Sequence, residues 1–449
     1  MNGREIPGFY FDPEKGKYFK VQNAKDHKYS RGNVAKLQQR HKDEKASVER
    51  IQKRRTETVV AAHQHKLLFQ LSQREIGDRR KSFYSQDLWA AASVAGYSPT
   101  ELDVTRFVSH FDRNPGTGDI FVASTDVNVD RSRPIRGNPY GDYMRDHERF
   151  IRMTSEISSL NYIRGSGSLV VTTFGSDRPP VIYFTTPEID GPFIGEQFTP
   201  RNCSTVWTSL PRPFMPTSTN TIASADTEAV AVGASRALLI FTRTSQGGTW
   251  DCETALNTES DVLALSWLSS TTVCLGGRDG TIRLYDTRSK GTSHTLLRHP
   301  TPINQIRPAD DFTRIVVAGL RNTLMTYDMR MTKTEQVSKT QWRKRGNNRF
   351  PFRTTNSCIT QFEYANENTT YLGLDVNPRL GLVAAADEDA RLNIYSLYTG
   401  KMIKQFSSDF TGPKKRMQCV RFTEDANGDI SLLSNWNAGV ARFDWNSLS

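Results

Sequence analysis

The sequence predicts an all-β fold: a β-propeller of about seven blades, with an N-terminal β-hairpin and a helical extension ahead of it. Three observations carry this. An aromatic residue followed by a polar one repeatedly closes an alternating strand, as Phe241-Thr242, Tyr285-Asp286, Tyr327-Asp328, Tyr395-Ser396 and Phe443-Asp444. The second members stand at 242, 286, 328, 396 and 444, so the spacings are 44, 42, 68 and 48 residues. A four-stranded blade takes ~40–45 residues and cannot bury both faces alone, so the repeat implies a closed ring.

Residues 273–288 show the unit most clearly. Val273 to Gly276 is a short apolar strand. Arg278-Asp279-Gly280 is a hairpin turn, because Asp and Gly tolerate the positive φ that such turns need. Ile282, Leu284 and Asp286 then alternate with Thr281, Arg283, Tyr285 and Thr287, the period of a strand. Ile315 to Arg330 repeats the pattern. The spacing of 68 is one blade plus an insertion, and Lys333 to Thr370 is polar, basic and rich in Asn and Thr. Upstream, Arg106–Ser124 and Ser168–Thr186 each hold two apolar runs around a Gly- or Pro-containing turn. These degenerate blades bring the count to about seven.

The chain divides into residues 1–32, a hairpin and linker; 33–82, a basic helical segment; 83–105, a bridge into the first blade; and 106–449, the propeller. Insertions are expected near 128–156 and 333–370. In the first segment Phe9-Tyr10-Phe11 and Tyr18-Phe19 are aromatic strands around Asp12-Pro13-Glu14-Lys15-Gly16. Pro13 presets φ and Gly16 accepts the left-handed position. A lone two-stranded ribbon is marginal in water, so this one is expected to dock, either on its own propeller or as part of a partner surface.

Residues 33–82 contain no Pro and only Gly77. Val34, Leu37, Val48 and Ile51 form a loose heptad that His41 and Glu44 interrupt, which makes a poor coiled coil. Thr58–Ile76 is more apolar and fits an amphipathic helix, packed beneath the propeller or laid into a partner's groove. The bridge holds Trp89 and an Ala-rich helical turn. Residues 128–156, rich in Arg, Asp and Pro, are expected to form a long loop between blades.

Charge is concentrated at one end. The 449 residues carry a net charge of +11. Residues 1–82 hold 20 Lys and Arg against 10 Asp and Glu, and the remainder holds 39 against 38. The basic arm suits an acidic protein surface, nucleic acid or nuclear import. No apolar run reaches the ~18 residues of a membrane span. Five scattered cysteines lack metal-type spacing and suit a reducing compartment. A phosphate loop, a nucleophile elbow and a zinc-binding His pair are all missing from the sequence. No catalytic residue, metal ligand or cofactor site is therefore assigned, and the chain is not expected to be an enzyme. His299 is expected to join a structural hydrogen-bond network.

The Asp-Gly turns and the aromatic-Asp-x-Arg endings resemble WD40 repeats, with Tyr285 and Tyr327 where Trp is usual. A Pro-Gly-Phe-Tyr-Phe-Asp-Pro opening, a following Tyr-Phe, a basic helical stretch and a degenerate propeller together resemble the family of cullin-4-associated factor four, also called WD-repeat protein twenty-one. The resemblance implies a non-catalytic substrate receptor of the cullin-4 RING ubiquitin ligase. It would be held by the adaptor called damage-specific DNA-binding protein one, and would present an unknown protein substrate. By resemblance, Asp286, Arg288, Asp328 and Arg330 would contact the adaptor; Arg321 replaces the usual turn Asp, and neither Ser396 nor Asp444 is followed by Arg. Pro7, Gly8, Phe9, Tyr10, Phe11, Asp12, Pro13, Tyr18 and Phe19 form the N-terminal docking motif. Each Asp is two residues from its Arg, so the pair is expected to project to one side of its strand. An Asp–Arg pair fastening neighbouring strands is the other reading of these residues. The alternative function is a nucleic-acid-associated scaffold in ribosome or RNA-processing assembly, with a weak nucleic-acid contact through the basic N-terminus. The expected locations are the nucleus and the cytoplasm.

Overall fold

A computed structural model describes residues 9–12, 17–21, 29–31, 33–36, 39, 42, 83–104, 107–135, 143, 147–187, 195–213, 227–244, 248–289, 292–310, 313–330, 358–407, 416–424, 430–437 and 439–445. The chain separates into two units, Met1–Tyr84 and Ser85–Ser449.

In the first unit β1 (Phe9–Asp12) and β2 (Lys17–Lys20) form the expected antiparallel hairpin, with Tyr10 opposite Phe19 and Phe11 opposite Tyr18. Tyr10 is buried together with Tyr29 and Val34, and Phe19 stacks on Tyr29 at 4.3 Å. The ribbon therefore docks on the turn and helical residues that follow it, a third outcome beside the two expected from sequence. A ribbon this aromatic meets its need for cover locally. Pro7, Gly8 and Pro13 lie outside the described residues, as do most of 33–82, the amphipathic stretch 58–76 and residues 333–357.

The helix α1 (Phe83–Ala95) leads into the second unit, which continues with β3 (Tyr97–Leu102) and holds seven four-stranded antiparallel sheets. Six blades take four consecutive strands each. Blade 1 runs Val108–Arg113, Ile120–Ser124, Asn128–Ser132 and Glu148–Arg152; blade 2 spans 157–198; blade 3, 206–257. Blade 4 runs Val262–Trp267, Thr272–Gly277, Thr281–Asp286 and Ser293–Arg298, and blade 5 Ile303–Asp310, Arg314–Gly319, Leu324–Asp328 and Thr360–Gln361. Blade 6 runs Leu374–Asn377, Leu382–Ala386, Arg391–Ser396 and Met402–Ser407. Blade 7 takes Val420–Glu424, Ile430–Trp436 and Gly439–Trp445 from the end of the chain and β3 from near its start, paired from Tyr97 opposite Trp445 to Leu102 opposite Val440.

The ring is thus closed by the stretch read as a bridge. Sequence reasoning missed the strand because Pro99 interrupts it. Proline is tolerated there because β3 is an edge strand with one neighbour. The expected loop at 128–156 is also corrected. It contains the third and fourth strands of blade 1. Its polar look is misleading because the charges are paired across the sheet: Arg131 donates to Glu148 and, through Nη1, to the Pro187 carbonyl at 2.8 Å. In the expected insertion at 333–370, the described end supplies the short outer strand of blade 5.

Packing follows the ring. One apolar cluster fills each interface between adjacent blades. Second strands are covered on both faces, so Ile120–Ser124, Ser168–Thr173 and Leu382–Ala386 are buried at every position. Each fully buried Val, Leu or Ile contributes about 1.5–3 kcal/mol, and this is where the stability of the fold resides.

Candidate functional site

An antiparallel meander fixes which loops share a face of the ring. Turns between first and second strands, and between third and fourth, lie on one face, called here the lower. Turns between second and third strands, and the links between blades, lie on the upper.

Asp286 ends the third strand of blade 4 and Asp328 ends that of blade 5. Arg288 and Arg330 fall beyond the strands, in the turns, rather than on the same strand as their aspartates. Each arginine folds back on its aspartate in the same way. In both pairs the backbone N–H donates to Oδ1 at 2.9 Å, Nε to Oδ1 at 3.0 Å and Nη2 to Oδ2 at 2.7 Å. The following turn is fixed too: Thr287 N donates to Thr271 O, and Met329 N to Thr313 O, both at 2.8 Å. These hydrogen bonds from the arginines hold the carboxyls of Asp286 and Asp328 down at about 2. Each of these hydrogen bonds is local to its turn, and Asp328 also feels the charge of Arg314, the residue opposite it on the neighbouring strand. The Arg288 and Arg330 side chains are 74% and 66% exposed, so the outer edge of each guanidinium fork faces out from the lower rim.

Blade 6 has Ser396 at the equivalent position, and the carboxylate arrives from elsewhere. Asp87 of α1 accepts from Ser396 Oγ, and from Thr399 Oγ1 at 2.9 Å. The other end of α1 is held by Lys404, whose Nζ donates to the carbonyls of Val94, Ala95 and Tyr97 at 3.3, 2.9 and 2.7 Å. Ala90 and Val94 are buried against blades 6 and 7. Leu88 and Trp89 point away and are 50% and 66% exposed. The end of the helix that sits on the Ser396–Thr399 turn therefore carries an apolar pair to the same rim as Arg288 and Arg330, on three consecutive blades. In blade 7, Asp444 pairs along its own strand with Arg442 at 2.6 Å.

The two faces differ in charge. Among the described residues, the loops of the lower face hold seven basic side chains and one acidic, Asp119. Those of the upper face hold twelve acidic and six basic.

A central cavity of about 380 Å³ runs between the first strands. On its wall, between neighbouring blades, Arg421 Nη1 meets Asp112 at 2.9 Å and Arg307 Nε meets Asp375 at 3.4 Å. Arg421 Nη2 also donates to the Leu160 carbonyl and to Asn161 Oδ1. Burial pushes the Asp375 carboxyl up. Burial, and then the Arg421 charge, push His110 down to about 4. Sequence reasoning missed this set; the available signal was a charged residue recurring in these first strands, as Asp112, Arg307, Asp375 and Arg421.

At the upper mouth Tyr371, at the entry to blade 6, reaches Phe174 of blade 2 at 4.9 Å and Trp207 of blade 3 at 6.3 Å. Phe174 and Trp207 meet edge-on at 6.0 Å. Tyr371 holds a φ of 67°, a conformation that costs a side-chain-bearing residue about 1–3 kcal/mol. Arg278 lies 4.9 Å over the Trp207 ring, with its Nε 3.1 Å from Asp261.

His299 is structural, as expected from the sequence. Its Nδ1 meets the Tyr327 hydroxyl and its Nε2 the Thr323 hydroxyl, both at 2.9 Å, and burial pushes it down to about 3. Among the described residues no group of His, Cys, Asp and Glu could hold a metal ion, and no helix is long and apolar enough to cross a membrane.

No protein-family model matches the chain. It is 25% identical over 179 residues to human DDB1- and CUL4-associated factor 4-like protein 2, covering 39% of each chain. It is 23% identical over 179 residues to human DDB1- and CUL4-associated factor 4, and 22% to the Bos taurus protein, covering 39% of this chain and 31% of either relative. The match thus spans between three tenths and two fifths of those relatives. Among solved structures, the β-propeller domain of Cps50 (Swd1) from Myceliophteria thermophila matches with a TM-score of 0.53 and 12% identity, over 78% of this chain and 100% of that one. The chain is therefore a seven-bladed β-propeller, similar in part of its sequence to DDB1- and CUL4-associated factor 4.

Proposed function

We propose that this protein is a non-catalytic substrate-recognition subunit of a cullin-4 RING ubiquitin ligase, seated on the adaptor DDB1 through its lower rim. The observation that carries the reading is the convergence on that rim of two outward guanidinium forks, Arg288 and Arg330, with the apolar Leu88–Trp89 pair of α1. Exposed Trp and Arg are residue types enriched at interface hot spots. The fork gives planar, bidentate recognition of carboxylate or carbonyl groups. The basic lower face suits an acidic partner, and the partial similarity to proteins named for DDB1 and CUL4 supports the same partner. Among the described residues that line the central cavity, no hydroxyl or thiol is hydrogen-bonded to a histidine or carboxylate, which favours a receptor over an enzyme. The nucleus and the cytoplasm are the proposed locations. The test is capture of purified DDB1 by the full-length chain, compared with the Arg288→Glu/Arg330→Glu and Leu88→Ala/Trp89→Ala variants. Undiminished capture by both variants would remove this reading.

A further inference from the structure

We propose that the DDB1-facing surface does not end at α1 but runs on to blade 1, where Arg133 and Ile135 form its far end. The adaptor is then held along an arc of the lower rim, from blade 4 past blade 7 to blade 1. The inference deepens the receptor reading and rests on it for the identity of the partner.

Strand register identifies the stations of this arc. Asp286 lies opposite Thr272, Asp328 opposite Arg314 and Ser396 opposite Leu382, each the first residue of a second strand. Ser132 lies opposite Ile120, the first residue of the second strand of blade 1. The chain beyond Ser132 therefore emerges on the lower rim as it does beyond Asp286, Asp328 and Ser396. Blade 1 has a serine at this position, as blade 6 does, and again a group from outside the strand meets the hydroxyl: His147 Nδ1 lies 3.1 Å from Ser132 Oγ. Arg133 and Ile135 follow, and they are 54% and 42% exposed. Blade 7 lies between this station and blade 6, and its Asp444 is taken by Arg442 along its own strand. On the other side of the ring, blades 2 and 3 carry no exposed large apolar side chain among the described residues.

The cation at this station is in excess. Glu148 Oε2 accepts from Arg131 Nε at 3.0 Å and from Arg133 Nη2 at 3.1 Å. Asp130 is engaged by Arg149 at 3.7 Å. One carboxylate thus answers two arginines, and because Arg131 is buried, the charge left over lies with Arg133 on the outside. The lower loops as a whole hold seven bases against one acid among the described residues, so an acidic partner is drawn to every part of this arc. Ile135 supplies an apolar contact within it.

The loop is also held in place. Pro134 forms a backbone bridge with Tyr143. The Tyr143 ring is buried, and its hydroxyl donates to the Gly118 carbonyl at 3.0 Å. Gly118 has a φ of 80°, and a Cβ there would sit 3.3 Å from Pro134 Cγ. Arg133 and Ile135 are therefore presented on a fixed support, which reduces the entropy lost on binding.

Biolayer interferometry with the full-length chain immobilised and purified DDB1 in solution tests the arc. Ile135→Asp and Arg133→Glu should each weaken binding by about three- to tenfold. The milder Ile135→Ala should act mainly through faster dissociation. Arg133→Gln should act mainly through slower association, by a margin that shrinks as salt is raised. Arg164→Glu, on the same face in blade 2, should change the affinity by less than about twofold. Thermal melts establish that each variant is folded. Unchanged binding by Ile135→Asp and Arg133→Glu, beside weakened binding by Arg288→Glu/Arg330→Glu, would overturn the arc and leave the receptor reading standing. A loss from Arg164→Glu as large as that from Arg133→Glu would also overturn the arc, because the attraction would then belong to the whole face. Absence of DDB1 binding by the unaltered chain would remove the receptor reading and the arc with it.

Discussion

Asp87 supplies Ser396 with the carboxylate that Asp286 and Asp328 provide from within their own strands. The partners are 309 residues apart in sequence, and the bond pins the start of α1 to the lower rim of blade 6. Asp87→Asn should therefore weaken the charge-assisted bonds from Ser396 and Thr399 and destabilise the chain by about 1–2 kcal/mol. It should also lower DDB1 capture by loosening Leu88 and Trp89. A double-mutant cycle with Ser396→Ala, read by chemical denaturation, checks the first effect. Additive losses would show that the two groups are not coupled.

Arg288 and Arg330 are exposed, and exposed ion pairs contribute little to stability. Replacing both by Glu should lower the melting temperature by only a few degrees, mostly through Asp328, which is buried beside Arg330. The same change puts four charges of the wrong sign side by side on the rim and should weaken DDB1 binding at least about tenfold. Calorimetric titration against DDB1, run beside thermal melts, separates the two effects. A large loss of stability with intact binding would return these pairs to a purely structural role.

His299 is buried and neutral in the fold, with its pKa pushed from 6.5 down to about 3 by desolvation. As the pH falls below 6.5 the unfolded chain takes up a proton that the folded chain refuses. Stability should therefore fall between pH 6.5 and about 3, with a slope approaching ~1.4 kcal/mol per pH unit from this group. His110 adds in the same direction between 6.5 and about 4. The aspartates of the lower rim act lower, because their folded pKa is depressed. Their contribution is complete above about pH 4 and is lost as the pH drops through about 2. Denaturation series at pH 7, 6, 5 and 4.5 should show a shallower slope for His299→Gln than for the parent, whatever the difference at pH 7.

The aromatic-polar endings of blades 3 to 7 were legible because the third strand alternates and its last residue must meet a turn. Blades 1 and 2 were half legible. Their second strands are covered on both faces, so they appear as continuous apolar runs in place of an alternation. Asp130 and Arg131 looked like loop residues because pairing that neutralises charge is invisible until the strands are placed side by side. The candidate sites divide the same way. Arg288 and Arg330 follow from a local motif, and the structure brings them to one rim. The roles of Asp87, Trp89 and Tyr371 depend on contacts across the ring, which no local pattern encodes.

Ring closure by β3 separates two truncations that a linear domain map would treat alike. Removing residues 1–82 leaves Tyr97–Leu102 in place, and the second unit should remain folded and soluble. Removing residues 1–102 strips the outer strand from blade 7. Tyr97 and Leu102 are 4% and 9% exposed, so their burial alone contributes about 1.5–3 kcal/mol each. The Tyr97 hydroxyl bond to the Ile430 carbonyl is lost as well. Gly439–Trp445 then presents an unpaired edge beside the core residue Phe443, the geometry that promotes strand-to-strand aggregation. Size-exclusion chromatography should show a monomer for the shorter deletion and aggregate for the longer. A monomeric, cooperatively melting product from the longer deletion would mean that blade 7 closes without its N-terminal strand.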